Sequence, residues 1–358
     1  MKSFVILFLL IAECSFAQCN GHNSLCSKRY DEVAYLTTHN AYNTEEDGHT
    51  LPNNTMSITN QLLDGVRGLM IDIYEDSGVN VVYHGFEFLG ERDLSEVLGE
   101  VKTFMDGNPN EVVTLILESY ITASSFETDI VASGLDTFLY THDGQWPTLQ
   151  EMIDSNERLV ILSDVDDASP GQEWYHYVWD LAVETHYAVH DTSQFNCEFN
   201  RGDSINDLFI LNHFVTDAQW GVGWDTIAVV ANANPFFINR AVECMTSKGK
   251  FPNFPTVDFH HLGNALQTVD ILNGITQLST ENSQTEVIQI APNPVRDVLK
   301  ITGSTGQIQV FNSFGEKLEL PSRKPWLHIT ELNFRNLPPG VYHLIVDSER
   351  HKIIHFNE

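Results

Sequence analysis

The chain has 358 residues, enough for more than one domain and a large buried core, and carries 49 acidic against 19 basic groups for a formal net charge of −30. That balance excludes nucleic acid, whose affinity rests on neutralising phosphates with Lys and Arg, and it excludes steady adsorption to anionic membranes through a polybasic patch. The acidity is uneven: the first 289 residues hold 42 acidic and 11 basic groups, whereas from Ile290 onward eight basic groups meet seven acidic ones.

In chain order, Met1-Lys2-Ser3 precedes an apolar run from Phe4 to Ala12, and Ser15-Phe16-Ala17 supplies the small residues a signal peptidase reads. Residues 1–17 therefore read as a secretory signal cut after Ala17, too short to span a bilayer. Glu13 argues against lipidation at Cys14. The cysteines that remain are Cys19, Cys26, Cys197 and Cys244. In an exported chain they suggest two disulfides, and closeness in sequence favours Cys19–Cys26 with Cys197–Cys244 among the three pairings.

Residues 18–276 alternate apolar β-like runs with helical ones. The β-like runs are Val33–Thr38, Val66–Tyr74, Val79–His84, Val112–Glu118, Arg158–Ser163, Leu208–His213 and Phe254–Phe259. Helices are expected over Asp93–Met105, Ser125–Leu139, Thr148–Ser155, Glu173–Val183, Trp224–Thr246 and Gly263–Leu272. Thr148 with Glu151 behind Pro147 has the form of a capping box. Runs such as Val112-Val113-Thr114-Leu115-Ile116-Leu117 are apolar without alternation, which suits parallel strands buried on both faces. The fold predicted is α/β, a closed TIM-like (β/α) barrel. Residues 277–287 turn to Ser, Thr, Asn and Gln and read as a linker, and residues 288–358 read as a small all-β sandwich with strands at Val298–Thr302, Ile308–Asn312, Leu327–Leu332 and Val341–Asp347.

In such barrels the C-terminal strand ends carry the chemistry. Here that face would hold His39, Asp72, His84, Glu118, Asp164, His213 and Asp258. Histidine titrates nearest neutral pH, so His39 and His84 can divide the base and acid roles of one displacement. Phosphodiester transfer needs that pair, and it needs positive charge on the non-bridging oxygens. Strand-end Arg and Lys are lacking, but Asn40, Asp72 and Glu118 are hard oxygen donors that suit calcium, which would supply the charge. His260-His261 and the His186/His190 pair read as surface or rim residues, and Trp174, Trp179, Trp220 and Trp224 suit either a membrane-touching rim or a buried core.

These residues sit in motifs. Thr38-His39-Asn40-Ala41-Tyr42, the run Asp64 to Tyr74, Tyr83-His84-Gly85, the run Asn108 to Glu118, Trp146-Pro147-Thr148 and the run Pro252 to Phe259 follow one another over about residues 25 to 275. Together they resemble the X domain of phosphatidylinositol-specific phospholipase C, most of all the secreted single-domain proteins. The resemblance implies a distorted TIM-like barrel, with His39 as general base on the inositol 2-hydroxyl and His84 as general acid on the diacylglycerol oxygen. It implies calcium at Asn40, Asp72 and Glu118, because calcium-independent members place an arginine where this chain has Asp72. It departs at Met70, where the eukaryotic calcium enzymes carry a Glu; a thioether is too soft to ligate calcium. Asp258 is the candidate to orient His39. The tail, with Ala291-Pro292-Asn293-Pro294 and Leu337-Pro338-Pro339-Gly340-Val341-Tyr342, resembles the C-terminal sorting domain of the type IX secretion system. That implies a bacterial protein, secreted or held at the cell surface, with the secretion machinery and a phospholipid as partners and only transient contact with a membrane surface. The alternatives are another lipid or glycerol phosphodiester on the same barrel, or a non-catalytic barrel that binds a surface lipid or glycan.

Overall fold

Among the described residues the first unit holds ten strands and eight α-helices: β1 (Thr37–Thr38), α1 (Ile58–Leu63), β2 (Gly68–Asp76), β3 (Val79–Val82), β4 (Arg92–Asp93), α2 (Leu94–Gly107), β5 (Val113–Ser119), α3 (Ala123–Ser133), α4 (Leu149–Ser155), β6 (Leu159–Ser163), β7 (Tyr175–Tyr177), α5 (Val178–Leu181), β8 (Ala182–Glu184), β9 (Leu208–Asn212), α6 (Asp225–Ala231), α7 (Phe236–Lys248), β10 (Phe254–Val257) and α8 (Ala265–Leu272). The computed structural model describes residues 18–217, 223–275, 289–302, 308–312, 316–318, 320–326, 329–346 and 349–356. The chain divides into two units, Met1–Gln277 and Leu278–Glu358. The expected signal, residues 1–17, and the expected linker, residues 277–287, lie outside the described residues.

Eight strands pair in parallel in the order β7-β6-β5-β2-β1-β10-β9-β8, and β3 and β4 extend from β2 as an antiparallel ribbon. The order follows the chain round a barrel. No ladder joins β7 to β8 among the described residues, so the expected closed barrel is open at that seam.

Strand parity explains why both faces are apolar. Along β5, Val113, Leu115 and Leu117 pack into the outer layer with Val97, Leu98 and Val101 of α2 and Phe126 of α3, while Ile116 packs inside with Val160, Leu162, Ile210 and Phe254. β2 repeats the pattern, with Leu69, Ile71 and Ile73 outward and Met70 inward. The helices supply matching stripes: in α2, Leu94, Val97, Leu98, Val101, Phe104 and Met105 are the buried residues, spaced three and four apart. The capping box of α4 is present, with Glu151 N donating to Thr148 Oγ1 at 3.2 Å and Thr148 N to Glu151 Oε2 at 2.8 Å. Both expected disulfides are present, Cys19–Cys26 and Cys197–Cys244.

Other expectations need correction, among them the helix expected over Ser125–Leu139, which ends at Ser133 before a left-handed Gly134. The stretch Glu173–Val183 is not one helix but strand, single turn and strand, because Tyr175 pairs with Ile161 on one side of the seam and Ala182 with Leu208 on the other. The helix expected over Trp224–Thr246 is two, α6 and α7, separated by Asn234-Pro235, since proline lacks an N–H and restricts the residue before it. His260 is not a surface residue: it is 5% exposed, with Nε2 at 3.3 Å from Asp64 Oδ2.

The ladders between the strands of the second unit are antiparallel, with an isolated parallel bridge between Val295 and His355. Its strands are β11 (Gln289–Ala291), β12 (Val298–Thr302), β13 (Ile308–Phe311), β14 (Lys317–Leu318), β15 (Ser322–Trp326), β16 (Ile329–Asn333), β17 (Gly340–Val346) and β18 (Glu349–His355). They form two four-stranded sheets, β11-β12-β16-β15 and β14-β13-β17-β18. Leu299, Ile301, Val310, Phe334, Leu344 and Ile353 share one core.

Candidate active site

The inward parity that fills the barrel with Met70, Ile116 and Leu162 continues to the strand tips. Two residues on, it turns Asp72, Glu118 and Asp164 into the barrel mouth; Asp72 and Glu118 are paired in register on β2 and β5. The same parity places Asn212 inside and His213 outside. His213 is wholly buried against the outer layer, with Nε2 at 2.8 Å from the Ala231 carbonyl, Arg240 Nη1 at 2.9 Å from Nδ1 and its ring stacked on Phe237. It is no part of the cavity, against the expectation that put it on the reactive face; strand parity was the signal that could have excluded it.

The mouth encloses a cavity of about 310 Å³ lined by His39, Asn40, Met70, Asp72, His84 and Glu118 together with Trp179, Tyr187, Arg201 and Phe214. His39 leaves β1, its N–H bonded to the Val257 carbonyl at 3.0 Å, and its ring lies on Phe214 with centroids 3.9 Å apart. Its Nδ1 is 3.0 Å from Asp258 Oδ1. His84 follows β3, with Nδ1 at 3.1 Å from Asp72 Oδ2. The two ring centroids are 6.2 Å apart. Each imidazole thus meets a carboxylate through Nδ1, which favours the Nδ1–H tautomer and leaves Nε2 at the opposite edge of the ring as the proton-exchanging atom, although at His84 the Asn40 Nδ2 stands 3.0 Å from the same nitrogen and opposes that proton. Asn40 and Phe259, the residues after His39 and Asp258, both have positive φ, 45° and 47°. Such left-handed backbone at non-glycine positions is costly and turns the chain sharply at both tips.

Glu118 faces solvent in the cavity and accepts from Tyr120 Oη at 2.6 Å, yet the surrounding wall and then the charge of Asp72 raise its pKa. Asp164, half-buried, is also raised, chiefly by burial. The only Arg or Lys lining the cavity among the described residues is Arg201, from the segment that pairs back onto β8. Its Nε donates to the buried Glu184 at 2.6 Å, and its guanidinium lies between Trp179 and Tyr187 at 4.4 and 4.7 Å. Burial alone would lower its pKa, but the bond to Glu184 holds it raised. Strand-end reasoning had no means of finding Arg201, Glu184 or Phe214, which reach the mouth from loops or from the unpredicted β8.

The family model for the PI-PLC X domain matches residues 25–273. The chain belongs to that family. The X domain is followed by a match to the secretion system C-terminal sorting domain at residues 289–356. Over 274 residues the chain is 29% identical to a PI-PLC X domain-containing protein of Arabidopsis thaliana, covering 68% of this chain and 62% of that protein. Over 295 residues it is 25% identical to an uncharacterized secreted protein of Arthroderma benhamiae, covering 72% and 64%. It therefore spans less than two thirds of the length of these two relatives. Among solved structures, the phosphatidylinositol-specific phospholipase C of Listeria monocytogenes is similar at 17% identity and a TM-score of 0.47, covering 71% of this chain and 96% of that one.

A cation fits the X domain's donors in kind. Asp72, Glu118 and the Asn40 amide are hard oxygen ligands at one side of the cavity, and the raised Glu118 marks carboxylates close enough to repel. Met70 lines the same wall and contributes no oxygen, and no group of three or more His, Cys, Asp and Glu side chains forms a metal cage among the described residues. Asn40, Asp72 and Glu118 are the residues that could hold a cation here.

Proposed function

We propose that the X domain cleaves a phosphodiester of a lipid with a vicinal hydroxyl on its headgroup, phosphatidylinositol above all, by paired histidine catalysis. The observation that carries this reading is the pair of imidazoles 6.2 Å apart, each tied through Nδ1 to its own carboxylate at the mouth of one cavity. His39 Nε2 removes the proton of the ring 2-hydroxyl, whose oxygen bonds to phosphorus. The bond from phosphorus to the diacylglycerol oxygen breaks, and His84 Nε2–H protonates that oxygen. Diacylglycerol and a cyclic inositol phosphate result; water then opens the ring with the two roles reversed. Asp258 orients His39 and stabilises its imidazolium. Calcium held by Asn40, Asp72 and Glu118 would supply positive charge to the phosphate oxygens.

A lipid interface is supported by Phe86 and Phe88, which stack at 5.3 Å on the segment after His84 and are 56% and 74% exposed. Of the tryptophans, Trp174 is buried and Trp224 is 39% exposed, while Trp220 lies outside the described residues. The sorting domain and the secreted relative support export to the outside or surface of a bacterial cell through the type IX machinery.

The test is phosphorus NMR on phosphatidylinositol vesicles incubated with the protein, once with calcium and once with EDTA. A cyclic phosphate signal that needs calcium is expected. The same signal in EDTA removes the metal from the mechanism. No product in either sample, with vesicles still bound, favours the second reading that Met70 and the lean donor set support, a barrel that binds its lipid without turnover.

A further inference from the structure

Between the two histidines lies a residue that strand-end reasoning did not single out. Asn53, in the loop after β1, has no exposed surface. Its Nδ2 donates to Asp258 Oδ1 at 3.1 Å, the oxygen that also faces His39 Nδ1. Its Oδ1 accepts from Asn43 Nδ2 at 2.7 Å and from Asn40 Nδ2 at 3.2 Å. Asn40 Nδ2 in turn stands 3.0 Å from His84 Nδ1. The backbone is pinned as well: Phe259 N donates to the Asn53 carbonyl at 2.9 Å, and Asn53 N donates to that of Asn43 at 3.0 Å.

The direction of every amide in this chain follows from one charge. An ionised carboxylate only accepts, so Asn53 must turn its NH₂ to Asp258. Its oxygen then faces Asn40 and Asn43, which must both present NH₂ groups. Asn40 therefore keeps its NH₂ on the Asn53 and His84 side, and its Oδ1 is the atom left for the cavity it lines.

We infer that Asn53 is a positioning residue that transmits the orientation of the Asp258 carboxylate to Asn40, so that the His39 arm and the His84 arm are built as one polar unit. This rests on the acid–base reading of the two histidines. Asn40's N–H and Asp72's carboxylate make opposite demands on His84 Nδ1, the first for a lone pair and the second for an N–H. With Asn53 removed, Asn40 can reverse, offer its oxygen to His84 Nδ1–H and turn its NH₂ toward the cavity. His39 and Asp258 face Asn53, and Asp72 faces His84.

The experiment uses Asn53→Leu and Asn53→Asp in the full chain, with melting temperature to verify folding. Turnover of phosphatidylinositol vesicles is followed against pH, with kcat and KM separated. Leu at 53 is expected to lower kcat with little change in KM. Turnover should fall about 10²-fold, the scale of a small displacement in a reacting pair. Asp at 53 can still accept from Asn40 and Asn43 but can donate to Asp258 only when protonated, so its turnover should recover toward wild type as pH falls, whereas that of the Leu variant should not. A folded Leu variant with kcat within twofold of wild type overturns the inference, and so does an Asp variant with no acid recovery. His39→Ala is run in parallel. If it keeps turnover, the acid–base reading itself fails; if it is inactive while both Asn53 variants behave as wild type, only the role of Asn53 is lost.

Discussion

Replacing Asp258 by Asn separates charge from geometry at the His39 arm. Asp258 is 3% exposed; its Oδ1 meets both His39 Nδ1 and Asn53 Nδ2, while its Oδ2 is buried with no hydrogen-bond partner among the described residues. An amide oxygen in the Oδ1 place still accepts both bonds, so the tautomer and ring position of His39 are kept and only the negative charge goes. A unit charge about 4 Å from the imidazolium that forms in the reaction is worth about 4 kcal/mol at an effective dielectric of about 20, which is about three decades of rate. Turnover of phosphatidylinositol vesicles by Asp258→Asn should therefore fall about 10³-fold. Asp258→Ala, which also removes the acceptor shared by His39 and Asn53, should fall further. Both are measured by product release at saturating vesicle concentration, with thermal melting to verify the fold. Asn within tenfold of wild type, or Ala more active than Asn, refutes the reasoning.

Three other outcomes follow from the geometry. The Glu118 pKa is raised in the folded barrel by its surroundings and by Asp72, so its contribution to stability is fully present below the ordinary carboxylate range and is lost as pH rises through the raised value. In EDTA, Glu118→Gln should therefore melt higher than wild type at neutral pH and equally at acid pH, and calcium should raise the melting temperature of wild type only; a calcium gain that survives in Glu118→Gln moves the metal elsewhere. A Cβ at Gly223 would stand 2.1 Å from Asp258 Oδ2, so Gly223→Ala must displace that carboxylate and should lower turnover with little change in vesicle binding, read as a fall in kcat rather than a rise in KM. The exposed Phe86 and Phe88 can each bury up to about 2 kcal/mol of apolar surface, so Phe86→Ser with Phe88→Ser should weaken vesicle sedimentation at least tenfold at an unchanged melting temperature; undiminished binding puts the lipid contact elsewhere.

Much of the barrel was legible because each strand satisfies a local rule. Val112 to Leu117 is apolar throughout since both of its faces are covered, and that pattern needs no knowledge of the partner. Its end at Glu118, like the ends at His39, Asp72, His84 and Asp258, shows as a polar residue stopping an apolar run. Thr148 and Glu151 carry their capping box within four residues, and Pro235 carried a readable break that a long helical pattern hid. What lies beyond such local rules came from tertiary structure. Tyr175–Tyr177 and Ala182–Glu184 are strands because β6 and β9 offer edges on either side of the seam; segments of three residues have too little periodicity to declare their own state. His213 and Asn212 are neighbours in sequence with opposite fates, decided by which face of β9 meets the mouth. Asn53 and Arg201 belong to loops, whose polar residues look alike until folding brings one against Asp258 and the other against Glu184. By itself the sequence determined which residues are chemically able to act, because periodicity and residue type are local properties. Only the tertiary structure decided which of them share a cavity and which way their amides and imidazoles face, because hydrogen-bond direction is set by partners far apart along the chain.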